Sequence, residues 1–185
     1  ISLFFENDMI YLGEMFRTMY DNRINNFKRI RAHIFDITIR NKQIEVQVNS
    51  NDFNKEDASI QAKRYLKYIG KLPEILLTKV DTVWIHKGNN FWGGGNNNLL
   101  IHTDKGEQYI QDNIVEEILL HEATHTSLDE AWNPDSPIKM QDWLEAMNKD
   151  NIFATPYAKD YPEREDLAET FPIYYAIRFK RDNLI

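Results

Sequence analysis

The residues best suited to chemistry lie in the stretch EEILLHEATHTSLDEAW, residues 116 to 132, which contains the pattern H-E-x-x-H: His121, Glu122 and His125. On a helix, residues four apart lie one turn apart on the same face, so the two imidazoles can bind one zinc ion. Glu122 lies at the edge of that face and can reach a zinc-bound water without itself binding the metal. The pattern therefore predicts a zinc site with Glu122 as the catalytic base.

The alternative interpretation is a pair of surface histidines on an ordinary helix. Apolar residues precede the motif, however, and indicate a helix embedded in a core: Ile114, Ile118 and Leu119. A catalytic zinc ion takes three protein ligands and leaves one position open, so a third ligand must come from another part of the chain.

The sequence offers few candidates for that third ligand. Cysteine is absent, and the residues after His125, TSLDEAWNP, lack the Gly and the third His of the metzincin pattern. The spare histidines fall in predicted strands, where a hydrogen-bonded or an exposed histidine is the simpler interpretation: His33, His86 and His102. Glu165 and Glu169 are four apart near the start of a predicted helix, and spacing alone allows either as the ligand. Glu163 and Asp166 are less favoured, and a solvated acidic helix start is the alternative.

The motif HEATH, followed 40 residues later by YPEREDLAETF, resembles the glutamate-zincin metallopeptidases and, among them, the family of the anthrax lethal factor catalytic domain. In that family an E-x-x-A-E-x-F motif follows H-E-x-x-H at a similar distance, and its first Glu binds zinc. The resemblance covers roughly residues 110 to 180. It implies that Glu165 is the zinc ligand and that Glu169 contacts the ligands without binding the metal. It also implies that Ala168 is the small residue between the two glutamates and that Phe171 is the aromatic residue that packs beside them.

The same resemblance implies a Tyr shortly before the third ligand, whose hydroxyl stabilises the oxyanion. The segment TPYAKDYPERE offers Tyr157 and Tyr161, and Tyr157 follows the pattern better; a Tyr that merely packs on the loop is the alternative. Asp129 lies one turn after His125. It is placed either to accept the second N–H of that imidazole or to cap nearby backbone.

The pattern of apolar residues predicts the elements that position this site. Residues at helical spacing predict a first helix within residues 4–30: Phe5, Met9, Leu12, Phe16 and Met19. Apolar residues then alternate about a polar link, Asn41 and Lys42, which predicts a hairpin: Ile37, Ile39, Ile44, Val46 and Val48. A second helix is predicted from the cap residue Asn54 to Gly70 and Pro73.

Two strands, VDTVWIH and NLLIHT, are predicted on either side of KGNNFWGGGNNN, which is predicted to be a mobile loop and is a candidate flap over the cleft. Further helices are predicted at about residues 112–128 and 140–153, and from Pro162 onward with a kink at Pro172. In zincins an edge strand borders the cleft. We therefore expect NLLIHT to be that edge, with substrate backbone paired along the following residues: Leu99, Leu100, Ile101 and His102.

These elements predict an α+β, zincin-like fold with a small mixed or antiparallel sheet, an active-site helix and a short C-terminal helical lobe. We expect one domain over residues 1–185, in which residues 1–129 form an N-terminal lobe and residues 130–185 supply the third ligand. The formal net charge of -7 argues against sequence-independent nucleic-acid binding, and no apolar run is long enough to span a membrane. Because the chain begins with Ile1 rather than Met, we expect that an N-terminal segment has been removed and that the protein is secreted.

The expected function is zinc-dependent hydrolysis of peptide bonds in a peptide or protein substrate, with one Zn²⁺ per chain and no covalent intermediate. One alternative is a catalytically silent zinc-binding interaction module, which would not need Glu122. Another is a toxin or effector protease that is restricted to one protein target.

Overall fold

The computed structural model describes residues 8–179, and this part of the chain is a mixed α+β fold with six strands and seven helices. None of the helices in the described range is both long and apolar enough to cross a membrane. The elements follow in chain order: β1 (Ile10–Asp21), β2 (Asn26–Ile39), β3 (Lys42–Asn49), α1 (Lys55–Ile69), α2 (Glu74–Leu77), β4 (Thr82–His86), β5 (Gly93–Gly95), β6 (Asn98–His102), α3 (Thr103–Gln111), α4 (Val115–Ser127), α5 (Met140–Asp150), α6 (Pro156–Asp160) and α7 (Pro162–Phe179). The strands form one mixed sheet in the order β1-β2-β3-β4-β6-β5.

The predicted first helix is wrong, because residues 10–39 form the antiparallel hairpin β1–β2. β1 is a terminal strand of the sheet, and its register slips between Tyr11 and Gly13. This bulge breaks the two-residue alternation that identifies a strand. Leu12 and Phe16 stay exposed, so the apolar side chains of β1 are spread over both faces and imitate helical spacing. Phe5 lies outside the described residues.

The second hairpin is confirmed, with its turn one residue earlier than predicted. Arg40 and Asn41 both have positive φ, 49° and 66°, and Ile39 pairs with Lys42 across the turn. Two consecutive residues with positive φ match the twist of the flanking strands. The buried face of this hairpin joins the main core through Ile37 and Val46, among others.

The helix that connects β3 to β4 is also confirmed. The Asn54 side chain accepts the backbone N–H of Asp57, which caps the first turn of α1. One face of α1 is buried: Ala58, Ala62, Tyr65, Leu66 and Ile69. Because α1 crosses over between them, β3 and β4 lie parallel. β6 also lies parallel to β4.

Part of the predicted Gly-Asn loop, Gly93–Gly95, forms the edge strand of the sheet, while residues 87–92 have neither helix nor strand structure. β5 pairs antiparallel with β6 through a turn in which Asn96 and Asn97 both have positive φ. β6 therefore lies between β4 and β5. The prediction that NLLIHT is the edge of the sheet is wrong, because Leu99 and Leu100 pair with β4 on one side and with β5 on the other. Ile101 and His102, which are also buried, pair with β4.

Strand β5 packs directly on α4, with backbone against backbone at Gly94. A Cβ atom added to Gly94 would overlap the backbone carbonyl of Glu122. The Gly95 N–H donates to Thr126 Oγ1 at 2.8 Å, and this hydroxyl donates to the Asn98 carbonyl at 2.8 Å. The glycine run thus lets the edge strand approach the helix that carries the histidine pair.

Replacing Gly94 with Ala is expected to lower the free energy of unfolding by about 2 kcal/mol or more, because the added methyl group forces β5 and α4 apart. Gly93→Ala is the matched control. Its Cβ would meet Leu100 at 3.7 and 3.8 Å, an ordinary packing distance, so we expect a change within about 0.5 kcal/mol. Urea denaturation of the three proteins measures both values. Equal stability of the two variants would contradict the close approach.

A buried polar cluster lies where β1, β4 and β6 end. Arg23 bridges Asp21 and Asp52, with N–O distances of 2.7 and 2.9 Å. The His86 Nε2–H donates to the Tyr20 carbonyl, and His86 Nδ1 accepts the Asn49 side-chain N–H. His102 is fully buried and neither ring nitrogen has a hydrogen-bond partner among the described residues, so it is neither bonded nor exposed as predicted from sequence.

The His102 imidazole makes stability depend on pH. Burial and the neighbouring His86 lower the pKa of His102 to about 4, although Asp21 opposes them. Between pH 6.5 and pH 4 the unfolded chain binds a proton that the folded chain excludes, so stability is lost as pH falls through this window. Each pKa unit corresponds to 1.36 kcal/mol, which sets the loss at up to about 3 kcal/mol.

We therefore expect His102→Gln to show a shallower fall in the free energy of unfolding over this window than the unmodified chain. Urea denaturation at pH 7.5, 6.5, 5.5 and 4.5 measures the two slopes. Identical slopes would mean that His102 titrates normally in the folded state.

Candidate metal centre

Helix α4 presents the histidine pair from within the core. Leu119 and Ala123 are buried, and Ile114 and Ile118 pack against the core as the sequence indicates. The opposite side of the helix faces a cavity of about 820 Å³, which both imidazoles line. The motif therefore lies on a helix that is anchored by its apolar side and open on its polar side.

Helix α7 brings the two candidate carboxylates to the same cavity. Leu167 and Ala168 are buried, and α7 packs closely against α4. Glu165 and Glu169 line the cavity, one turn apart. Asp166 faces elsewhere and accepts the Trp143 indole N–H at 3.0 Å. Glu163 and Asp166 therefore do not join the imidazoles, as Glu163 is exposed.

Three donor atoms form a nearly equilateral triangle. His121 Nε2 and His125 Nε2 are 3.2 Å apart. Glu165 Oε2 lies 3.2 Å from His125 Nε2 and 3.4 Å from His121 Nε2. Two tetrahedral ligands, each 2.0–2.1 Å from a zinc ion, are separated by about 3.3–3.4 Å. The three atoms thus have the spacing that one tetrahedral zinc ion requires, and two imidazoles with one carboxylate are a donor set of catalytic zinc sites.

The outer nitrogen of His121 is fixed by a second carboxylate. Glu169 Oε1 lies 3.0 Å from His121 Nδ1. The Thr155 hydroxyl donates to Glu169 Oε2 at 2.7 Å, and the same oxygen of Thr155 accepts the Ala158 N–H at the start of α6. A carboxylate on the outer nitrogen fixes the tautomer in which Nε2 is free to bind a metal.

Asp129 supports His125 less directly. Its Oδ2 lies 3.8 Å from His125 Nδ1, beyond hydrogen-bond distance, while its Oδ1 accepts the Ala131 N–H at 2.9 Å. Of the two roles that the sequence allowed for Asp129, the hydrogen bond to nearby backbone is present. Burial alone would lower the pKa of His125, but Asp129 and Glu165 raise it to about 9.

The two oxygens of Glu165 have different neighbours. Oε2 faces the imidazoles, whereas Oε1 accepts the Tyr157 hydroxyl at 3.3 Å and the Arg164 Nε–H at 2.8 Å. Burial tends to raise the pKa of Glu165, yet its bonds to the two imidazoles and to Arg164 hold it far below the usual range. The carboxylate therefore stays ionised and presents a single oxygen to the imidazoles.

Glu122 lines the same cavity but contributes no atom to the triangle. Burial raises the pKa of Glu122, although the imidazoles and the Gly94 N–H act in the opposite direction. A carboxylate whose pKa is raised holds a proton more readily, which suits a group that accepts and releases protons.

The walls of the cavity include residues that sequence patterns did not indicate. Tyr157 lines the cavity, whereas Tyr161 is not part of its wall and packs its ring against that of Tyr157, with centroids 5.2 Å apart. Thr155 was missed because its partner, Glu169, lies on another helix. Arg164 was missed because its contact with the adjacent Glu165 depends on the side-chain rotamer. The T-P pair before α6 signals a helix cap, but nothing in the sequence signals the bond to Glu169.

Searches against protein-family models, curated proteins and solved structures return no match for this chain. Function is therefore inferred from the geometry and the chemistry of the site itself.

Proposed function

We propose that the chain is a zinc-dependent metallopeptidase of the glutamate-zincin type, in which His121, His125 and Glu165 hold one Zn²⁺. The observation that carries this proposal is the triangle of donor atoms, with sides of 3.2, 3.2 and 3.4 Å. A zinc ion bound there supplies a Lewis acid that brings the pKa of a water molecule down to about 7.

Glu122 then acts as the proton carrier. Its carboxylate accepts a proton from the attacking water and passes it to the amine that leaves, which is general base catalysis followed by general acid catalysis. The raised pKa of Glu122 supports this role, because a carboxylate that holds its proton more strongly is a better base. No side chain forms a covalent bond to the substrate.

Tyr157 and β5 account for the remaining parts of the reaction. The Tyr157 hydroxyl, which bonds the outer oxygen of Glu165, is placed beside the ligands and stabilises the developing oxyanion. Phe91 and Gly94 line the cavity at the terminal strand of the sheet. An extended peptide therefore pairs along β5, in place of β6, and passes the metal ligands.

Metal loading and chelation test this function. We expect one zinc ion per chain by elemental analysis, cleavage of heat-denatured casein, and at least about 100-fold slower cleavage after dialysis against 1,10-phenanthroline. Adding back one equivalent of zinc restores cleavage. A protein that binds no zinc, or cleavage that survives chelation, contradicts the proposal.

A further inference from the structure

The cavity has one cationic side chain on its wall. Arg164 is the only lysine or arginine among the described residues that line it, and its side chain is 75 % exposed. Its Nε–H donates to Glu165 Oε1 at 2.8 Å. Among residues 8–179, no hydrogen bond involves either of its two Nη groups. The guanidinium is therefore held beside a proposed zinc ligand while its terminal donors face solvent.

Arg164 lies on a cavity wall whose other charged side chains are mostly acidic. The other ionisable side chains of the cavity wall, apart from the histidines and tyrosines, are acidic: Glu117, Glu122, Glu165 and Glu169. An anionic group on a bound peptide is repelled by these carboxylates, and Arg164 is the lysine or arginine of the wall that can attract it away from the metal ligands. A guanidinium presents paired N–H groups that match the two oxygens of a carboxylate.

We propose that Arg164 is a specificity-determining residue which binds a substrate carboxylate close to the cleaved bond. This inference rests on the proposed function, and it names the substrate class: peptides with an acidic group beside the scissile bond. That group is either an Asp or Glu side chain or the C-terminal α-carboxylate, since both offer the same pair of oxygens. The contact through Nε fixes the guanidinium next to the metal ligands, which places the recognised carboxylate near the reacting centre.

A random octapeptide pool tests the preference at every position around the cleaved bond at once. The zinc-loaded chain cleaves the pool, and mass spectrometry gives the frequency of Asp and Glu at each position relative to the cut. We expect about 10-fold enrichment at one position, as a charge-assisted hydrogen bond provides. Arg164→Gln is expected to reduce the enrichment to less than twofold with unchanged zinc content, through a higher KM for acidic peptides.

Controls separate recognition from a structural role and distinguish the two sources of the carboxylate. Arg178→Gln removes the same charge from the far end of α7, where Arg178 is exposed, and should keep the enrichment. Arg164→Lys should keep part of it. If Arg164 only positioned Glu165, Arg164→Gln would slow all peptides equally. Cuts that cluster near the C-terminus and vanish in a C-terminally amidated pool assign the α-carboxylate; cuts unaffected by amidation assign the side chain.

A flat profile for the unmodified chain, or enrichment that persists in Arg164→Gln, overturns the inference and leaves the proposed function intact. If the zinc-loaded chain cleaves nothing, the proposed function fails, and binding decides the role of Arg164. Zinc-loaded Glu122→Gln is then titrated, by fluorescence anisotropy, with labelled octapeptide pools that carry a central Glu or a central Gln. About 10-fold tighter binding of the Glu pool than of the Gln pool, or of the Gln pool than of its C-terminally amidated form, supports the Arg164 site, and equal binding of all three pools refutes it.

Discussion

Replacing Glu122 with Gln is expected to leave one zinc ion per chain and to slow peptide hydrolysis about 1000-fold or more. The amide has nearly the same shape but cannot accept a proton, and general acid–base catalysis contributes about 10²- to 10⁴-fold to enzyme rates. Glu122 supplies none of the donor atoms of the triangle, so metal binding should survive. Elemental analysis and casein cleavage measure the two quantities on the same preparation.

Glu116→Gln is the matched control for this variant. Glu116 lies on the same helix and pairs with Lys71 at 2.5 Å, and its replacement is expected to change the rate less than twofold. If Glu122→Gln cleaves as fast as the unmodified chain, another group is the base. If both proteins bind zinc and neither cleaves casein or the peptide pool, the silent zinc-binding module becomes the better description.

Replacing Glu165 with Gln is expected to weaken zinc binding more than about 100-fold. Loss of a residue that only orients a ligand costs about 10- to 100-fold in metal affinity, so loss of a ligand should exceed that range. Glu165 Oε2 lies 3.2 Å from His125 Nε2 and 3.4 Å from His121 Nε2. Competition with a chromogenic zinc chelator measures the affinity, and circular dichroism confirms that the variant is folded.

Two further Glu→Gln changes on α7 make this result discriminating. Glu169→Gln is expected to weaken binding about 10- to 100-fold, because Glu169 contacts the outer nitrogen of His121 and not the Nε2 atom that would bind zinc. Glu163→Gln should have no effect, since Glu163 is exposed. A larger loss for Glu169 than for Glu165 would exchange their roles, and equal affinity in all three variants would remove α7 from the zinc site.

The helices were predictable where local signals and apolar periodicity agree. α1 has its Asn54 cap and a buried stripe, and α7 begins at Pro162, as expected. α3 was missed, because Thr103 was assigned to the preceding strand and residues 104–111 were assigned to no element. β1 was predicted as a helix, because a bulge and its exposed terminal position remove the alternation that marks a strand.

The site was predictable to the extent that it is local in sequence. Spacing on one helix is enough to place His121 and His125 together, whereas only the resemblance to a known family preferred Glu165 over Glu169. The strand bordering the cleft was misplaced, since three consecutive glycines carry no alternation from which a strand can be recognised. The Thr155–Glu169 bond joins α6 to α7, and such pairings depend on how the helices pack.

The contact between Gly94 and the Glu122 carbonyl joins two stretches of main chain with no side chain between them. The distance from the strand on which we expect the peptide to lie to the helix that carries the base is therefore set by backbone atomic radii. Substitutions elsewhere on the cleft walls can change which sequences are accepted without altering that spacing. New target preferences can thus evolve in this scaffold while the reaction geometry is inherited unchanged.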